Sequence, residues 1–238
     1  MGYKYTYNEN YFKIIDSEQK AYFLGLLMAD GSIYNNKLTL SLSGVDGNMI
    51  NVFGEVISNG QYPLYEYTPK NSKQVAHRIT ISNKKICESL QRYTTWDNKS
   101  LHLYPPENIF EPYIKHFIRG YFDGDGHISY WNYKQSKKEE QGVGGLKYNF
   151  SITSTFAFCE WVMMIFASLG VNGCIIKNKG NSHSLLVSGG IQVQKVLDYM
   201  YKDATIYLER KHKKYEEIID YRNINHRKRL GNGQYTTI

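Results

Sequence analysis

The sequence predicts an α+β protein made of two αββαββα subdomains related by a pseudo-twofold axis, with one helix of each meeting at the interface. Two observations predict it. First, the chain repeats itself. AYFLGLLMADGSIY (21–34) and HFIRGYFDGDGHISY (116–130) share an aromatic-rich apolar run, a Gly, three residues, a small residue, Asp-Gly and then an Ile. Second, the stretches after each copy correspond, and their apolar residues alternate with the period of a strand or recur with that of a helix.

The elements follow in order. After the first copy comes KLTLSLSG, where Leu38, Leu40 and Leu42 alternate with Thr39 and Ser41. After the second comes LKYNFSITST, where Tyr148, Phe150 and Ile152 alternate with Asn149 and Ser151. Both read as half-buried strands. A helical stretch ending in glycine comes next in each half, VDGNMINVFGEVISNG and TFAFCEWVMMIFASLG. Another strand follows, VAHRITIS or SHSLLVSG, and then a helix, NKKICESLQRY or IQVQKVLDYMY. The first half's third strand, around Tyr62 to Tyr67, is weak because Pro63 and Pro69 bracket it. LHLYPPENIFEPYIKH (101–116) carries three prolines and reads as a linker between subdomains 1–100 and 117–221. Residues 222–238 have no apolar period and read as a basic tail.

Composition narrows the function classes. The 238 residues hold 29 Lys plus Arg against 22 Asp plus Glu, a net charge of +7, which points weakly to a polyanionic partner. Hydrophobic residues at 42% and charged residues at 21% argue against wholesale disorder. No stretch approaches the roughly 20 apolar residues that span a bilayer. The opening MGYKYTYNENYF has no apolar signal core, so neither a membrane nor secretion is expected. Cys87, Cys159 and Cys174 are odd in number and lack C-x-x-C spacing, which disfavours a disulfide framework or a structural zinc and suits a reducing compartment.

The repeated segment has the chemistry of a site. Taken as helices, the two copies place Gly25 and Ala29, and Gly120 and Gly124, at i and i+4 on one face. Such small-x-x-x-small faces let two helices approach backbone to backbone. Asp30 and Asp125 then fall at the helix C-termini, each before a glycine suited to a left-handed cap. There each carboxylate meets the negative end of its helix dipole, and parallel packing brings the two together. A divalent cation relieves both penalties, and acidic pairs holding Mg²⁺ against a phosphate are suited to phosphodiester hydrolysis. A lone Asp-Gly would be read as a plain turn; two at matching places of a repeat are not.

FLGLLMADG (23–31) and IRGYFDGDG (118–126) resemble the two signature motifs of the LAGLIDADG homing endonuclease family in its single-chain form, and the flanking order of elements extends the resemblance over most of residues 20–220. The resemblance implies two antiparallel sheets forming a saddle along the DNA major groove. It implies a metal role for Asp30 and Asp125, with Ala29 and Gly124 beside them in the metal set. It implies a basic residue near each centre, here Lys99 and Lys211, with Arg210 open as an alternative to Lys211. The sixth motif position departs between copies, Met28 against Asp123, and Asp123 is expected to be a supporting or surface carboxylate rather than a ligand. Mg²⁺ is the expected cofactor, with Mn²⁺ able to substitute and Ca²⁺ supporting binding without cleavage. The expected partner is double-stranded DNA, with the chain's own intron RNA open as another. A monomer is expected, located wherever the target DNA resides, in the cytoplasm, a nucleoid or an organelle matrix.

Strand alternation assigns the outward face. Lys37, Thr39, Ser41, Arg78 and Thr80 are expected outward in the first half, and Lys147, Asn149, Ser151 and Lys177 in the second. These side chains suit base edges and phosphates. The hairpin 130–149 is expected to extend the contact through Tyr130, Lys134, Lys137 and Lys138. Unlike halves predict a target without true palindromy. Two rivals keep the fold: an RNA splicing maturase, and an inactive DNA-binding regulator. Acids at both motif ends argue against the second and mildly against the first.

Overall fold

The computed structural model describes residues 5–58, 60–70, 73–133, 145–224, 227–229 and 235–237. The first half runs α1 (Glu18–Asp30), β1 (Gly31–Tyr34), β2 (Lys37–Ser43), a 3-10 turn (Gly44–Asp46), α2 (Asn48–Ile57), β3 (Leu64–Tyr67), β4 (Ala76–Ser82) and α3 (Lys84–Gln91). A short α4 (Lys99–His102) leads into the second half: α5 (Glu111–Asp125), β5 (Gly126–Tyr133), β6 (Gly145–Ser154), α6 (Phe156–Ser168), β7 (Cys174–Lys179), β8 (Ser182–Ser188), α7 (Gly190–Tyr201) and α8 (Glu209–Ile224). Beyond it, β9 (Arg227–Arg229) pairs antiparallel with β10 (Tyr235–Thr237), where the sequence suggested only a tail. Among the described residues no helix is long and apolar enough to cross a membrane.

Each half carries one four-stranded antiparallel sheet, ordered β1-β2-β4-β3 and β5-β6-β8-β7. The two orders are the same, so the internal repeat is a repeat of topology. The alternation read in the sequence decides which face is covered: Leu38, Leu40, Leu42, Ile79 and Ile81 are buried in one sheet, and Tyr148, Phe150, Ile152, Leu185 and Val187 in the other. The weak strand, β3, sits at its sheet's edge, where a neighbouring proline costs no ladder bond.

Local chemistry sets the helix starts. The Ser17 hydroxyl accepts from Lys20 N at 3.3 Å, and the Asn83 side chain from Ile86 N at 3.1 Å, each satisfying an orphan donor of a first turn. α5 begins inside the segment expected to be linker. Of its three prolines, Pro105 and Pro106 lie in the connection, but Pro112 occupies the first turn of α5, where its missing N–H costs nothing. Likewise α8 runs past residue 222 to Ile224.

α1 and α5 make the seam between the halves. A Cβ on Gly25 would strike the Phe117 carbonyl oxygen, and one on Gly120 the Tyr22 carbonyl oxygen. The contacts advance in step, Tyr22 and Leu26 against Gly120 and then Ala29 and Asp30 against Gly124. The two helices therefore run parallel and end together. Leu24, Leu26 and Leu27, and Ile118, Tyr121 and Phe122, are buried beside them as the sequence implied.

Candidate active site

Parallel packing at two glycines brings the C-termini of α1 and α5 side by side. A Cβ on Gly124 would come 2.5 Å from Ala29 Cβ and 2.7 Å from Asp30 Oδ2, so glycine lets the two helix ends close up. Asp30 and Asp125 are each exposed on an outer side while protein crowds the inner. Burial and then the facing Asp125 charge raise Asp30 from its ordinary value to about 6. Burial raises Asp125 as well, against Lys99, Lys211 and the Tyr121 hydroxyl, which lower it.

Each helix end has its own lysine. Lys99 Nζ donates to the carbonyls of Leu27 at 3.1 Å, Met28 at 2.9 Å and Ala29 at 2.7 Å. Lys211 Nζ donates to Phe122 O at 2.8 Å and to Gly126 O. These bonds satisfy the orphan carbonyls of α1 and α5 and place positive charge against the negative ends of their dipoles. Burial lowers both lysines to about 8, although the nearby carboxylates pull them up. Arg210 reaches the same helix end only through one Nη2 bond to Asp123 O at 3.3 Å and is otherwise turned to the first half. Its Nε donates to both Asp46 oxygens, at 3.1 and 2.8 Å. Of the two adjacent candidates, Lys211 is therefore the symmetric counterpart of Lys99.

The lysine caps accompany a departure from the sequence reading. Gly31 and Gly126 were expected as left-handed caps, but their φ values are −81° and −94°, in extended backbone. The chain leaves each helix straight into a strand; the Gly31 and Gly126 N–H groups still bond Leu27 O and Phe122 O, and the lysines supply the further donors at each helix end. Glycine is still required: a Cβ on Gly31 would come 2.6 Å from Leu27 O, and one on Gly126 would strike the Phe122 ring.

Of the two places expected for Asp123, supporting or surface, the structure takes the supporting one. Asp123 is fully buried and accepts from Tyr22 OH at 2.8 Å, Tyr201 OH at 2.5 Å and Leu208 N at 2.7 Å. One turn earlier lies Arg119, also fully buried. It donates to Ile206 O at 2.9 Å, Met200 O at 2.7 Å and Glu18 Oε1 at 2.7 Å. This polar seam joins both motif helices to the segment that carries Lys211. The sequence reading missed Arg119; a charged residue in the middle of an otherwise apolar interface helix was the signal for it.

The outward sheet faces hold most of the predicted residues. Thr39 and Thr80 are cross-strand partners, with their hydroxyls 3.2 Å apart. Ser41 bonds Tyr67 OH at 2.8 Å, and Arg78 lies 4.2 Å from the centre of the Tyr67 ring. Lys37, Lys147 and Lys177 are exposed, and Asn149 Oδ1 accepts from Ser188 at 3.2 Å. Ser151 lies between buried Phe150 and Ile152 on the outward side. Lys134, Lys137 and Lys138 lie outside the described residues. Tyr130 is misassigned by the sequence reading. It shares a strand side with buried Ile128, pairs with buried Tyr148, and donates its hydroxyl to Glu217 of α8 at 2.6 Å. The outward residues of β5 are His127, Ser129 and Trp131, which pair with Ser151, Asn149 and Lys147. In β1 they are Ser32 and Tyr34. Carrying the alternation back from Lys37 and Lys147 through each hairpin would have found them.

Residues 112–201 match the model of the LAGLIDADG-like domain family. The whole chain has the two-domain fold of LAGLIDADG endonucleases. It aligns with the LAGLIDADG meganuclease I-CpaMI bound to uncleaved DNA at a TM-score of 0.57 and 11% identity, covering 84% of this chain and 90% of that one. It aligns with the homing endonuclease I-SmaMI bound to cleaved DNA at 0.54 and 14% identity, covering 89% of each. A further relative is the DNA-directed RNA polymerase subunit Rpo1C of Methanocaldococcus jannaschii, 29% identical over 108 residues. That match covers 45% of this chain and 12% of the relative, so this chain spans only a small part of the relative's length.

The donor set at the ends of α1 and α5 suits a hard cation. Among the described residues no cluster of three His, Cys, Asp or Glu side chains forms a ready cage. Mg²⁺ rarely uses one; it takes one or two carboxylates and keeps waters and substrate phosphates as its other ligands. Asp30 and Asp125, raised in pKa by burial beside each other, are such a pair.

Proposed function

We propose that this chain is a Mg²⁺-dependent, site-specific endonuclease that hydrolyses both strands of a long, non-palindromic DNA duplex, acting as a monomer. The observation that carries the reading is the meeting of Asp30 and Asp125 at the ends of two parallel helices, each end capped by its own lysine. A single chain holding both copies needs no partner subunit to complete the pair. Neighbours of the same fold, I-CpaMI and I-SmaMI, are described bound to DNA, which supports DNA as the substrate.

Asp30 and Asp125 would hold the cation, with the backbone at Ala29 and Gly124 beside them. Bound there, Mg²⁺ would polarise the scissile phosphate and lower the pKa of water. The chain's own residues do the rest. Lys99 directs its donors at three carbonyls, so it fixes the helix end and adds positive potential rather than a direct bond to phosphate. Lys211 does the same for α5. The outward side chains of the two sheets read the duplex: Arg78, Asn149 and the hydroxyls toward base edges, and Lys37, Lys147 and Lys177 toward phosphates. The two outward faces differ residue by residue, which suits a target without a repeat of its half-site.

The test starts from a duplex recovered by wild-type binding from a randomised library in Ca²⁺. In Mg²⁺ the wild type should cut both strands. Asp30→Asn and Asp125→Asn should cut neither and still bind in Ca²⁺. Full cleavage by both variants would overturn the site assignment.

A further inference from the structure

The two lysine-bearing ends are anchored differently, and each anchor comes from the opposite half. The Lys99 end belongs to the first half. Just past it, Leu103 O accepts from the Thr155 hydroxyl of the second half at 2.6 Å, a neutral bond. The Lys211 end belongs to the second half. There Arg210 reaches to Asp46 of the first half and donates to both carboxylate oxygens. Both lie in the connection that follows the second strand of their half, Thr155 directly before α6 and Asp46 at the end of the 3-10 turn, three residues beyond Ser43, the register counterpart of Thr155. One junction is thus a neutral bond and the other an ion pair.

The ion pair is set up to hold. The Asp46 side chain is 5% exposed and the Arg210 side chain 44%. Ser43 donates to Asp46 Oδ2 at 3.3 Å, which orients the carboxylate. Arg210 Nη2 also donates to Asp123 O at 3.3 Å, in the last turn of α5 and two residues from Asp125. The Asp123 carboxylate accepts from Leu208 N, just before α8. At the Lys99 end the position equivalent to Asp123 is Met28, which has no carboxylate to offer.

We infer that Asp46, acting through Arg210, is a positioning residue for the Lys211–Asp125 end alone, so that the two strands are cut by differently supported centres. The inference rests on the endonuclease reading. Removing the pair loosens the start of α8 and displaces Lys211 from the end of α5. It leaves Lys99 on the end of α1 untouched.

Two readouts test this on the 238-residue chain with Asp46→Ala, Arg210→Gln and the double variant. The first needs neither metal nor DNA. Hydrogen exchange at the amides of Lys211 and His212 should rise about tenfold in each variant, the scale of losing a charged hydrogen bond, while Leu101 to Leu103 stay unchanged. The second is strand-resolved cleavage of the library-selected duplex, with Lys99→Met and Lys211→Met marking which strand each end serves. The strand slowed by Lys211→Met should slow about tenfold in all three variants and the other strand by less than about twofold, with the double variant no worse than either single. A wild type that cuts neither strand overturns the endonuclease reading and this inference with it. A wild type that cuts both, while the variants slow both strands alike or neither, overturns this inference alone. So does an Arg210→Gln defect that exceeds that of Asp46→Ala and appears as weaker DNA binding, because Arg210 would then be a phosphate contact.

Discussion

Asp30→Asn should stabilise the free protein at neutral pH while removing a residue of the proposed centre. Burial and the facing Asp125 raise the Asp30 carboxyl from 3.8 to about 6. The folded protein therefore binds that proton more tightly than the unfolded chain does. The resulting penalty is complete above about pH 6 and disappears as pH falls below the unfolded value of about 3.9. At about 1.36 kcal/mol for each pH unit between those values, its upper limit is about 3 kcal/mol. Asp30 is open to solvent on its outer side, and screening there reduces the expected gain to about 1 kcal/mol. Urea unfolding of wild type and Asp30→Asn in EDTA, at about pH 7 and about pH 4, measures it. The variant should gain at the higher pH and not at the lower. Mg²⁺ should narrow the gap, because it binds only the native wild type. A variant less stable than wild type at neutral pH, or a gain equal at both, would refute the electrostatic argument.

Four other outcomes follow from the same geometry. Gly120→Ala sets a methyl group against the Tyr22 carbonyl and should lower stability by about 3 kcal/mol or more, read by thermal unfolding, because overpacking here meets backbone rather than a movable side chain. Lys99→Met strips donors from three carbonyls at the end of α1 and should cost about 1–3 kcal/mol in urea unfolding. Trp131→Ala should weaken binding to the selected duplex by about tenfold, the scale of one lost base or ring contact. Tyr130→Phe should leave that binding unchanged, since its hydroxyl serves Glu217 on the helix side.

Local pattern carried most of the fold into view. The repeat, the period-2 runs around Leu40 and Phe150, and the paired small residues at 25/29 and 120/124 are statements about neighbours in the chain. They fixed the sheets' covered faces and the seam. What escaped depends on distant partners. The glycines after the motifs look like left-handed caps until a lysine 70 residues away adds its donors at the helix end. Asp123 could be either a supporting or a surface carboxylate until Tyr201 and Leu208 come to it from 78 and 85 residues on. Lys211 and Arg210 are adjacent in sequence, and only Asp46, 164 residues from Arg210, separates their parts. Tyr130 is a different case: alternation from Ile128 was readable, and the expectation of a long DNA-reaching hairpin overrode it.

The central claim is that Asp30 and Asp125 jointly hold the cation at the seam. The most direct measurement is a crystal structure of the protein with its selected duplex and Mn²⁺, located by anomalous scattering. Anomalous density should appear within coordination distance of both carboxylates and next to a DNA phosphate, and should be lost at the altered position in Asp30→Asn and Asp125→Asn. Mn²⁺ bound elsewhere, with both carboxylates free of it, would contradict the claim.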